Sequence, residues 1–107
     1  MEIDVRKDGG RTIIDVAGEL DVFTSARLRA VLFDPVLCAG PSVVVDLEDV
    51  TFIDSTSIGV LVAARRWLSS RDTEIGLVCE GQVRRVLDLV GLDKVFRIHA
   101  TVEDATG

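Results

Sequence analysis

The run Asp54-Ser55-Thr56-Ser57-Ile58-Gly59 sets three consecutive hydroxyl residues directly behind a carboxylate. An apolar, helix-periodic segment begins at the same point. Upstream, Ser42-Val43-Val44-Val45-Asp46-Leu47 reads as a buried strand. The hydroxyls therefore fall in the first turn of a helix, on a loop leaving a sheet. Unsatisfied backbone N–H groups and the positive end of the helix dipole meet at such a turn, so it suits a phosphate. A hydroxyl there can be a cap, a nucleophile or a phosphorylation site. As the cap, Asp54 or Ser55 would contribute ~1 kcal/mol. As a nucleophile, Ser55 would need a general base, and none is identifiable. As phosphorylation sites, Ser55, Thr56 and Ser57 offer three acceptors.

Little else in the chain could do chemistry. His99 is the only histidine, and Cys38 and Cys79 add no ligand spacing for zinc. Both cysteines lie among apolar neighbours and read as reduced core thiols. No glycine-rich loop of the nucleotide-binding types is present. No catalytic residue, metal site, cofactor or enzymatic activity is therefore expected. A net charge of −6 repels a nucleic-acid backbone. The doublets Arg65-Arg66 and Arg84-Arg85 read as solvated helix faces. No apolar run approaches the ~20 residues of a membrane span. The opening Met1-Glu2-Ile3-Asp4-Val5 is acidic and strand-like, unlike a signal peptide, which points to the cytoplasm and to no direct membrane insertion.

The elements that must position the hydroxyl run follow from patterning. The 107 residues, 48% hydrophobic, suit one α/β domain over 1–107, with a core from about 3 to 98 and a C-terminal helix or tail over 101–107. Ile3 and Val5, then Ile13 to Val16, bracket the turn Asp8-Gly9-Gly10 as an opening hairpin. Thr24 or Ser25 can cap a helix carrying Leu28, Val31 and Leu32 on one face. Pro35 breaks or kinks that helix, and Gly40-Pro41 ends the segment. Val43 to Leu47 reads as a central strand covered on both faces. A helix follows from about Ser55 to Ser70, then a strand over Glu74 to Cys79. Val83, Val86, Leu87 and Val90 recur at i, i+3, i+4 and i+7, with Gly91 suited to the C′ position of their helix. Val95 to Ile98 reads as a short last strand.

Three segments in this order resemble the STAS domain, and within it the bacterial anti-sigma factor antagonists. Gly18-Glu19-Leu20-Asp21 with Thr24-Ser25-Ala26 is similar to the family's segment between second strand and first helix. Asp54-Ser55-Thr56-Ser57-Ile58-Gly59 is similar to its Asp-Ser-Ser/Thr-Gly-Leu-Gly signature. Val83-Arg84-Arg85-Val86-Leu87 with Leu92-Asp93-Lys94-Val95-Phe96 resembles its C-terminal helix and last strand. The resemblance implies a mixed sheet of about five strands with helices packed mainly on one face. It also implies partner switching. The unmodified domain binds an anti-sigma factor that is also a serine kinase, and the sigma factor is freed. The kinase phosphorylates the serine after the aspartate, which matches Ser55, and binding ceases. A metal-dependent serine phosphatase restores the unmodified form. The alternative reading is a soluble STAS subunit of a membrane transport complex, docking without phosphorylation.

One position departs from the pattern: the family has glycine where this chain has Ser57. The added atoms would either narrow the set of partners or mark a relative no longer phosphorylated. The expected partner surface comprises Asp21, Asp54, Ser55, Thr56, Ser57, Ile58, Gly59, Val62 and Arg65. Helical periodicity turns Val60, Leu61, Ala64, Trp67 and Leu68 toward the sheet. Ile58, Val62, Arg65 and Ser69 form a second stripe, expected to be at least partly exposed. A wide core face that buries Ile58 and Val62 is the competing expectation. Gly59 costs ~1 kcal/mol against alanine within a helix, which suggests close packing or close approach by a partner.

Overall fold

The structure, a computed structural model, describes residues 1–106. Strand β1 (Glu2–Asp8) pairs antiparallel with β2 (Arg11–Leu20). The two-residue turn between them needs both residues left-handed, and Gly9 and Gly10 have φ of 57° and 85°. Helix α1 (Ser25–Leu32) stops before Pro35, as a ring that cannot continue the hydrogen-bond ladder requires. Strand β3 (Ser42–Ile53) then pairs parallel with β2, and β4 (Glu74–Val78) pairs parallel with β3. Helix α2 (Ser55–Ser69) connects these two strands. Helix α3 (Gly81–Leu89) ends on Val90, and Gly91 takes the left-handed conformation at φ 80°, as its C′ placement predicts. A short 3₁₀ turn (Leu92–Lys94) leads to β5 (Arg97–His99), parallel to β4. Helix α4 (Val102–Thr106) follows.

The five-stranded mixed sheet has the order β1-β2-β3-β4-β5. Alternation along each strand divides the core in two. Ile14, Val43, Val45, Ile75 and Leu77 meet Leu28 and Leu32 of α1, Leu61, Ala64 and Leu68 of α2, and Val83 and Leu87 of α3. Ile13, Val44 and Val78 point the other way and are covered by Val102 and Ala105 of α4. Three helices thus pack on one face and one short helix on the other.

Two boundaries differ from the sequence reading. β3 runs six residues past Leu47, to Ile53. The charged Glu48-Asp49 looks like a loop, but two register shifts against β2 absorb the extra residues and carry the strand on. The last strand begins at Arg97 rather than Val95, because the amides of Val95 and Phe96 are used to close the 3₁₀ turn on Leu92 O.

Candidate functional site

Leu20 of β2 and Ile53 of β3 are register partners at the same end of the sheet. The chain leaves each strand through an aspartate, Asp21 or Asp54. The Asp54 amide donates back to Leu20 O at 3.0 Å, tying the two exits together. Asp54 is the N-cap of α2, and its Oδ1 accepts from the Ser57 amide at 2.9 Å. Ile58 N–H already reaches the Asp54 carbonyl. The amides of Ser55 and Thr56 therefore remain without an acceptor among the described residues. Both side chains are exposed. Ser55 is thus an accessible hydroxyl beside two free N–H donors at the positive end of a 15-residue helix.

The neighbouring loop is held just as firmly. Asp21 Oδ1 accepts from the amides of Phe23 at 2.9 Å and Thr24 at 3.0 Å. Thr24 Oγ1 donates to Glu19 O and accepts from the Asp21 amide. Thr24 occupies the N-cap position of α1, but its hydroxyl serves this loop and not the helix amides. The Thr24 amide, then those of Phe23 and the Thr24 hydroxyl, hold the Asp21 carboxyl below the usual carboxylate range. Asp21 stays ionised at the edge that carries Ser55 and Asp54.

The fold gathers Asp21, Asp54, Ser55, Thr56 and Gly59 at this edge and sets the other named residues apart. Ser57 is fully buried, so it is neither a partner contact nor an accessible acceptor. It stands three, four and seven residues before Val60, Leu61 and Ala64, on the stripe that faces the sheet. That spacing was present in the sequence and identifies Ser57 as inward-facing. Its Oγ is buried with no hydrogen-bond partner among the described residues. Ile58 and Val62 are half-buried and pack against the main core, between the two expectations. Trp67 is also half-buried, its ring 5.2 Å from that of Phe33. Arg65 is exposed but lies ten residues along α2 from Ser55, roughly 15 Å at 1.5 Å per residue. It lines a cleft with Ser69, Glu74 and Arg97, away from the hydroxyl edge. Gly59 is exposed, and a Cβ there would meet nothing within 4 Å, so no internal packing requires glycine.

The sequence reading passed over three apolar residues at this edge. Val22 is 58% exposed, Phe23 87% and Phe52 50%. Among the described residues no group of three or more metal-ligating side chains could hold an ion. No described helix is long and apolar enough to cross a membrane.

With the hydroxyl edge placed, comparison with known proteins is direct. The STAS domain model matches residues 2–105. The chain belongs to the STAS domain family. It is 32% identical over 98% of its length to the anti-sigma-F factor antagonist RsfB of Mycobacterium tuberculosis, covering 86% of that protein. It is 28% identical over 96% of its length to the anti-sigma-B factor antagonist of Bacillus subtilis, covering 94% of it. The crystal structure of an anti-sigma factor antagonist from Mycobacterium paratuberculosis superposes with a TM-score of 0.90 at 32% identity, over 98% of this chain and 90% of the other. The five-stranded sheet and helix arrangement is that of the STAS fold.

Proposed function

We propose that this STAS domain is an anti-sigma factor antagonist switched by phosphorylation of Ser55. The unphosphorylated form binds an anti-sigma factor that is also a serine kinase, and so releases a sigma factor. The kinase moves the γ-phosphoryl group of ATP to Ser55 Oγ, leaving ADP, and the modified domain lets go. A metal-dependent serine phosphatase returns it to the binding form. The domain acts in the cytoplasm and turns over no substrate of its own. The observation that carries this reading is the exposed Ser55 hydroxyl beside two unused amides at the start of α2. The names of the mycobacterial and Bacillus relatives support the class of partner.

The added charge of about −1.5 to −2 meets opposed fields inside the domain. The helix terminus and the free amides of Ser55 and Thr56 favour it. The carboxylates of Asp54 and Asp21 oppose it. These effects offset one another, so the domain has little reason to refold. The switch is exercised on the partner, through charge and bulk at the contact surface.

The test is incubation with the cognate kinase and ATP, followed by peptide mapping. Phosphate is expected on Ser55, and Ser55→Ala should still bind the kinase while Ser55→Asp binds far less. Phosphate confined to Thr56 would reassign the acceptor. Equal binding by both Ser55 variants would remove charge as the switch.

A further inference from the structure

Phe23 is the most exposed large apolar side chain among the described residues, at 87%. Its backbone is not loose. The Asp21 carboxylate accepts the Phe23 amide, and Thr24 Oγ1 clasps both Glu19 O and the Asp21 amide. The bonds that fix this loop leave the ring outside. Val22, beside it, is 58% exposed. On the adjoining strand Phe52, the register partner of Glu19, is 50% exposed. Thr24 Oγ1 ties the Phe23 loop to Glu19 O, and the Asp54 amide bond to Leu20 O joins the β2 and β3 exits to the start of α2. The side chains that carry charge on the two strand exits are carboxylates, Glu19, Asp21 and Asp54, and the Met1 ammonium is the cation whose field reaches Asp21. No arginine or lysine bonds to any of these carboxylates among the described residues.

We infer that Phe23, with Val22 beside it, is the apolar anchor by which this edge docks a partner protein that offers an apolar pocket rimmed with arginine or lysine. This rests on the reading above, and the occupant is the anti-sigma factor of that reading. An aromatic ring held outward by a rigid loop loses little freedom on docking. Aromatic anchors at the centre of an interface commonly carry a large share of its binding energy. The carboxylates around the ring set the sign of the partner's rim and speed its approach. Phosphate on Ser55 would then place its bulk next to the anchor.

The experiment is titration of the cognate anti-sigma factor with the wild-type domain, Phe23→Ala, Phe23→Tyr and Leu89→Ala. Leu89 is the control, 86% exposed at the C-terminal end of α3. Phe23→Ala should weaken binding by more than about tenfold, Phe23→Tyr should retain it, and Leu89→Ala should leave it unchanged. Wild-type binding should weaken as salt rises. A thermal melt checks that Phe23→Ala folds as wild type. Tight wild-type binding with no loss in Phe23→Ala, or an equal loss in Leu89→Ala, overturns the anchor and leaves the antagonist reading standing. No binding by the wild type sinks that reading and the anchor with it. Sedimentation of the free domain supplies the remaining outcome: a dimer abolished by Phe23→Ala would make the occupant a second copy of this chain and overturn the proposal.

Discussion

Replacing Ser57 by alanine should stabilise this protein. The Ser57 hydroxyl is wholly removed from solvent and bonds to nothing described. Burying such a group unsatisfied costs about 1–3 kcal/mol, and Ser57→Ala removes that cost. Alanine is also the better helix former, by up to ~0.5 kcal/mol in a helix interior and less in a first turn. Against this, the lost oxygen forfeits a few contacts of ~0.1–0.2 kcal/mol each. The cap bond survives, because Asp54 accepts from the backbone amide of residue 57 and not from its side chain. The net gain is about 1–2 kcal/mol. At 4–8 °C per kcal/mol for domains of about this size, the midpoint should rise by at least about 4 °C. Urea unfolding followed by Trp67 fluorescence gives the free energy, and an unchanged m-value certifies the comparison. Ser57→Gly is the companion variant. It removes the same hydroxyl but adds ~1 kcal/mol of backbone entropy, so it should fall between wild type and alanine. A loss of ~1 kcal/mol or more in Ser57→Ala would refute the reasoning and show that Oγ is satisfied in solution.

Two further outcomes follow from packing and charge. Ile58→Ala and Val62→Ala should each cost about 1–2 kcal/mol in urea unfolding, below the ~2–5 kcal/mol of a fully buried Ile→Ala, because both side chains are half-buried against the core; an unchanged midpoint would return them to the surface. Asp46→Asn should stabilise the domain at neutral pH. Burial, followed by the nearby Asp15 and Asp49 charges, raises the Asp46 carboxyl despite the bond it accepts from the Glu48 amide. A raised carboxyl favours the fold when protonated and opposes it when ionised, so the advantage of Asn should shrink as pH falls through the raised value toward the ordinary one. A gain independent of pH between 4 and 7 would refute charge as the cause.

What could be read from the residues alone was set by periodicity and by glycine. Gly9-Gly10 and Gly91 announced their turns because no other residue takes φ > 0 so cheaply. Val60, Leu61, Ala64 and Leu68 announced the buried face of α2 through their spacing. Polar type misled at Ser57, where the hydroxyl suggested surface while the position lay on the inward stripe. Apolar type gave no sign of exposure at Val22 and Phe23, which the Asp21 turn directs outward. The length of β3 was hidden because register shifts arise between strands and leave no mark in either sequence. Arg65 lay on the right helix but too far along its axis, since facing direction and axial distance are separate facts.

The order of the strands in the sheet has a consequence for synthesis. Because β1 to β5 lie side by side in the order in which they are made, each strand can dock on its immediate predecessor as the chain emerges. At ~5–20 residues per second, the open edge of β3, with Val43, Val44 and Val45, waits only seconds for β4 to be completed. No strand must hold a place for one made much later, and no early strand must be pried apart to admit a late one. An apolar edge left open is where nascent chains join one another. In this topology that edge is always the newest strand, and it is covered in turn by the next.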